Sequence, residues 1–123
     1  MFGERPAAEV LVAEAGGEVV AFALFFPTFS TLLCRPGIWL EDLFVRPEHR
    51  RAGIGRALLA RLAAIAVERG CGRLEWVALD WNEPALRFYA ELGARPLRDW
   101  LVHRVEGDTL SHLAASAGGP ARA

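Results

Sequence analysis

Apolar and polar residues alternate from Glu9 to Glu14 (EVLVAE), and an apolar run follows from Val19 to Phe26 (VVAFALFF). AGGE stands between them, so the two segments predict strands joined by a tight hairpin turn. PTFSTLLCRPG, residues 27–37, has proline near both ends and reads as a loop. IWLEDLFV, residues 38–45, predicts a third strand. Alternation puts Trp39, Glu41, Leu43 and Val45 on one face and Ile38, Leu40, Asp42 and Phe44 on the other. From Ile54 the period becomes helical, with Ile54, Ala57, Leu58, Leu62, Ile65 and Ala66 in one stripe and Gly70 as the stop. RLEWVALD (73–80) predicts a fourth strand. WNEPALRFYAELGA (81–94) predicts a second helix, with Asn82 as N-cap, Pro84 in the first turn and Gly93 at the end. RPLRDWLVHRVEG (95–107) predicts a fifth, more polar strand, DTLSHLAASA (108–117) a short helix, and GGPARA a frayed tail. The order β-β-β-α-β-α-β predicts an α/β (α+β) fold on a mixed, largely antiparallel sheet. Its hairpin is antiparallel and its strand–helix–strand crossover parallel.

A chain of 123 residues with 53% hydrophobic content suits one packed domain. The net charge of -1 excludes a global basic field for nucleic acid. Charge is uneven, however: Arg46, Arg50, Arg51 and Arg56 crowd one loop just after the acidic pair Glu41–Asp42. That argues for a local anion site beside an acidic patch. Cys34 and Cys71 form no CxxC pair and no Cys/His cluster at metal spacing, so no metal is expected. No apolar run is long enough to span a membrane, and the N-terminus lacks the order of a signal peptide. The expectation is a soluble, cytoplasmic protein with neither nucleic-acid nor membrane partners.

Gly53 and Gly55 lie between a strand and a helix. Free N–H groups at a helix start, with the positive end of its dipole, attract anions, and glycine lets them approach closely. The loop is not a P-loop, because no GK[ST] follows. It is not a dinucleotide fingerprint, because Leu58 stands where a third glycine would be needed. Spacing alone predicts a phosphate or carboxylate at the helix start, against an ordinary glycine turn.

The wider context, LFVRPEHRRAGIGRALL, resembles the GCN-five-related N-acetyltransferases, whose pattern is Arg or Gln, two residues, Gly, one residue, then Gly or Ala; Arg50, Gly53 and Gly55 fill it. WLEDLFV, DWNEPALRFYAELGA and the later DW narrow the likeness, over about Glu9 to Glu106, to the spermidine/spermine acetyltransferase branch and its bacterial relatives. The resemblance implies that fold, with a V-shaped splay between central strands, over a domain of residues 1–107 followed by a C-terminal helix and tail (108–123). It also implies acetyl-CoA as co-substrate. Arg50, Arg51, Ala52, Gly53, Ile54, Gly55 and Arg56 would hold the pyrophosphate. Leu43, Phe44 and Val45 would pair with the pantetheine arm at a β-bulge, and Asn82 would bond the arm.

Acetyl transfer to an amine needs a neutral nucleophile, a held thioester, oxyanion stabilisation and a proton for the departing thiolate. Glu41 is the candidate base, acting through a water, and Asp42 a weaker acidic neighbour. Tyr89, the only tyrosine, is the candidate acid; the resemblance puts the family's acid tyrosine at this position. Glu75 and Asp99, with Trp76 and Trp100, suit a cationic, flexible acceptor by ion pairing and cation–π contact. The resemblance implies a polyamine, a diamine or a lysine-like amino acid, acetylated directly in a ternary complex. Relatives carry a further strand and two helices before the hairpin, which predicts a truncated start and an apolar face covered in a homodimer. Two other functions fit the same residues: a non-catalytic acyl-CoA-binding module, and acetylation of a protein N-terminus or lysine.

Overall fold

The computed structural model describes residues 7–30 and 34–117; the tail expected at 118–123 lies outside them. They fall into two compact units, one ending at Leu79 and the other starting at Asp80. The first unit is a four-stranded sheet in the order β1-β2-β3-β4 with one long helix. β1 (Glu9–Ala15) and β2 (Glu18–Ser30) form the expected antiparallel hairpin. Gly16 and Gly17 turn it with φ of 60° and 83°, the left-handed pair that a tight hairpin turn requires. β3 (Arg35–Val45) pairs antiparallel with β2. α1 (Ile54–Glu68) then returns the chain to β4 (Leu74–Glu75), parallel to β3. The mixed sheet and its crossover are thus present.

The segment expected as a loop at 27–37 is mostly ladder, since pairing continues out to Ser30 opposite Arg35. β1 reaches only as far as Phe25, so beyond that point β2 is an edge on one side, where Pro27 costs no ladder bond. The fourth strand is shorter than the eight residues expected: only Leu74 and Glu75 pair, with Ile38 and Trp39. β3 runs on from there paired with β2 alone, and without a ladder residues 76–79 are not strand.

Two register shifts set the faces of the sheet. Ala13 opposes Ala21 while Glu14 opposes Val19, leaving Val20 as an extra residue. A bulge turns consecutive residues to one side, and Val20 and Ala21 are indeed both buried, against Leu58 of α1. Leu24 opposes Asp42 while Phe25 opposes Leu40, so Glu41 is the extra residue of β3. The inward series Ile38–Leu40 therefore resumes at Leu43 and Val45, which pack with Ile54 against the same cluster. This corrects the strict alternation. Leu43 and Val45 share a side with Ile38 and Leu40, and Asp42 and Phe44 share a side with Trp39, because one inserted residue flips the phase.

α1 buries Leu58, Leu59, Leu62 and Ala66. The stripe is turned slightly from expectation: Ala57 is exposed and Leu59 takes its place. Leu62 and Ile38 are 0% exposed, so truncating either to alanine costs about 2–5 kcal/mol. Gly70, at φ 72°, ends the helix as expected, with the Cys71 N–H donating to Ala66 O at 2.8 Å. Beside it Arg69 grips Glu9 of β1 with two bonds of 2.8 and 2.7 Å, tying helix end to sheet edge.

The second unit holds α2 (Glu83–Glu91) and α3 (Gly107–Ala115). Asn82 caps α2, its side chain accepting from the Ala85 N–H at 3.4 Å, and Gly93 at φ 91° closes it. The fifth strand expected at 95–107 is absent among the described residues. Residues 95–106 join no ladder, and apolar alternation without partner N–H and C=O groups does not make a strand.

Candidate active site

The candidate anion loop begins where β3 ends. A short 3-10 turn, Pro47–His49, leads to Arg50. Arg51 takes φ 68°, and Gly53 follows at φ 81° as the residue that starts α1. The first helical bond is Ala57 N–H to Gly53 O at 3.0 Å, so the N–H groups of Ile54, Gly55 and Arg56 open the helix with no carbonyl behind them. No acidic residue stands in that first turn to compete for them. A Cβ built on Gly53 meets nothing within 4 Å, and one on Gly55 meets only Val45 Cγ2 at 4.0 Å. The backbone is open to a ligand there. Three convergent amides, exposed Arg51 and Arg56, and a helix dipole fit a phosphate-bearing group.

Arg50 does a different job in this structure. Its Nε donates to Val45 O at 3.0 Å, and its guanidinium carbon sits 5.9 Å from the Phe44 ring centroid. Phe44 in turn packs on Phe22, with ring centroids 5.8 Å apart. Arg50 thus clamps the strand end to the loop. Among the described residues, β3 from Glu41 to Val45 has ladder partners only on the β2 side. Its other edge offers backbone groups that an extended arm could pair with.

Glu41 and Asp42, the expected acidic pair, are both exposed at the bulge. The Trp39 indole Nε1 donates to Glu41 Oε1 at 3.0 Å. Trp39 was not among the expected site residues, although its i, i+2 spacing from Glu41 was the signal available. Glu75, Cα partner of Trp39, is half-buried and paired with Arg73 at 3.2 Å, so its charge is already met. Trp76 follows it, half-buried.

In the second unit Tyr89 and Asn82 share α2 and its cap. Tyr89 is half-buried, with its ring centroid 5.6 Å from that of Phe88, and burial raises its phenol above the usual value. The phenol therefore stays protonated well beyond neutral pH. Giving its proton to a thiolate, whose acid titrates near 8.5, is uphill by more than about 2 kcal/mol. Asp99 and Trp100 lie on the exposed stretch between α2 and α3.

A strand that leads through a left-handed turn into a helix with open amides, beside an unpaired strand edge, is an arrangement suited to an anionic ligand with an extended arm. The chain belongs to the acetyltransferase (GNAT) family, whose model matches residues 2–94. That family uses acetyl-CoA as co-substrate. The chain is 41% identical over 95 residues to an L-ornithine N5-acetyltransferase of Arabidopsis thaliana, covering 77% of this chain and 42% of that protein. It is 40% identical over 124 residues to a thialysine N-epsilon-acetyltransferase of Bos taurus, covering 92% of this chain and 72% of the relative. Among solved structures, an integron cassette protein from the mobile metagenome of V. cholerae matches with TM-score 0.83 and 35% identity, over 89% of this chain and 67% of the other. The chain thus spans less than half the length of the ornithine enzyme. No helix among the described residues is long and apolar enough to cross a membrane.

Proposed function

We propose that this chain moves acetyl from acetyl-CoA to a primary amine of a small cationic molecule, a diamine, polyamine or lysine-like amino acid. The observation that carries this reading is the run of open amides at Ile54–Arg56 beside the unpaired β3 edge. The backbone of Arg51–Arg56 holds the pyrophosphate, with Arg50 bracing the loop, and Leu43–Val45 hold the pantetheine arm. Acetyl-CoA supplies the activated acyl group. Glu41, exposed and acidic, draws the ammonium and takes its proton through a water, since an alkyl amine with pKa near 10 must be neutral to attack. Asp42 adds a second negative charge on the same side. Tyr89 returns a proton to the departing sulfur, and Asn82 caps its helix and bonds the arm. Trp76, Asp99 and Trp100 contribute to acceptor recognition, and Glu75 does so only by exchanging its Arg73 partner for the amine. The names of the ornithine and thialysine relatives favour small amines with two basic nitrogens. The working form is a cytoplasmic homodimer.

Thiol release from acetyl-CoA tests this with ornithine, thialysine, putrescine, spermidine and a lysine peptide. Turnover with a small amine, lost in Tyr89→Phe with acetyl-CoA affinity kept, is the expected result. A chain that binds acetyl-CoA and acetylates none of them is not this enzyme.

A further inference from the structure

Glu41 is the extra residue of the β3 bulge, so no cross-strand residue opposes it. Its carboxylate is also exposed, on a side chain with several rotatable bonds. Nothing in the ladder therefore fixes where that carboxylate points. Trp39 is in the opposite situation. It is the last residue of β3 with partners on both sides, Phe26 on β2 and Glu75 on β4. It is half-buried, and its ring has few rotatable bonds. Its indole reaches the carboxylate at 3.0 Å, within the range of a well-formed N–H to O bond. An indole N–H only donates. The contact therefore occupies one carboxylate oxygen and leaves the other, Oε2, to a water or an ammonium.

We infer that Trp39 is the positioning residue of the proposed base: it anchors Oε1 of Glu41 so that Oε2 is presented to the acceptor amine. The inference rests on the proposed role of Glu41. It assigns the loss on removing the indole donor to the chemical step, since a base out of place slows proton removal while the acceptor still binds.

The test is a double-mutant cycle between Trp39→Phe and Glu41→Gln, read as kcat and KM for the best amine of the panel and Kd for acetyl-CoA. Trp39→Phe keeps an aromatic ring and removes only the donor. Its kcat should fall roughly 3–10-fold, with KM for the amine changed by less than about two-fold and acetyl-CoA affinity unchanged. In the Glu41→Gln background the same substitution should cost nothing further. An equal loss in both backgrounds would make Trp39 a merely structural residue. A rise in KM alone would make it a wall of the acceptor site. Either result, or no change at all, overturns the inference. If Trp39→Phe falls to the unfolded state, Trp39→Leu removes the donor with a bulky apolar side chain and the cycle is read with it. Full activity in Glu41→Gln removes the base itself and Trp39's role with it. An impaired Glu41→Gln beside an unaffected Trp39→Phe sinks only the role of Trp39.

Discussion

Two side chains carry contrasting burdens at the scale of single residues. Burial raises Tyr89, so its neutral form is the favoured one and its proton is held beyond the usual phenol range. Two outcomes follow for the proposed acid. The kcat profile shows no decline caused by Tyr89 below about pH 10. Tyr89→Phe lowers kcat at every pH rather than moving a limb of the curve, a comparison that pH–rate measurements on both proteins make directly. A basic limb near neutral pH that disappears in Tyr89→Phe would contradict a phenol raised by burial. Arg50 is the other case. If its value were charge alone, Arg50→Lys would keep it. Its Nε bond to Val45 O and its position over Phe44 need a planar guanidinium instead. Arg50→Lys should therefore weaken acetyl-CoA binding about as much as Arg50→Ala, by roughly 3–10-fold in calorimetric titration.

Among the elements, the start of α1 separates two glycines that the sequence makes look alike. Gly53 sits at φ 81° with open space around its Cβ position, so Gly53→Ala costs about 1–2 kcal/mol through the backbone alone. Gly55 has no such constraint and only Val45 Cγ2 nearby, at 4.0 Å. Gly55→Ala should stabilise the helix by up to about 1 kcal/mol while keeping acetyl-CoA affinity, as denaturant melts with and without ligand will tell. The other end of α1 is tied by Arg69 to Glu9, whose carboxyl is held below its usual value chiefly by the Arg69 hydrogen bonds. Glu9 thus favours the folded state above the unfolded carboxyl value, and that contribution fades as pH drops through its lower folded value. Both groups are more than a third exposed, so solvent limits the effect to about 0.5–1 kcal/mol. Arg69→Ala should remove that acid-dependent component of stability, and added salt should shrink it in the parent chain. The existence of these elements was legible in periodicity and in punctuation by Gly16, Gly17, Gly70 and Gly93. The phase of β3 was not. An inserted residue leaves no composition signal, so the alternation around Glu41 read as regular while the register put Asp42 beside the Trp39 face. The third strand, the glycine turn and the acidic pair were each in view; the bond from Trp39 depended on geometry.

The sheet as a whole has one face under α1 and another that remains strongly apolar. On the second face the register sets Val12, Phe22 and Phe44 in one row across three strands, and Val10, Leu24 and Asp42 in the next. Val10, Val12 and Phe44 are 60%, 47% and 40% exposed. Contiguous apolar surface of this kind is disfavoured on a solitary soluble protein, and its burial is the drive behind the proposed homodimer. The segment at 95–106 teaches the complementary lesson. Its alternation suggested a strand, yet pairing is a property of two segments, and one segment's sequence does not report whether the other is at hand. For the same reason the face is a better guide to association than any single motif. Val12 lies on the edge strand, at the end of the exposed row, and makes no contribution to the buried cluster under Leu58. Val12→Lys should therefore leave the circular dichroism and the melting curve close to those of the parent, because an exposed site tolerates a charge within about 0.5 kcal/mol. It should at the same time shift sedimentation velocity from dimer towards monomer, because a desolvated lysine on each of two facing sheets is costly. A parent chain that sediments as a monomer at every concentration would sink the dimer. A Val12→Lys protein that remains dimeric would move the contact to another surface.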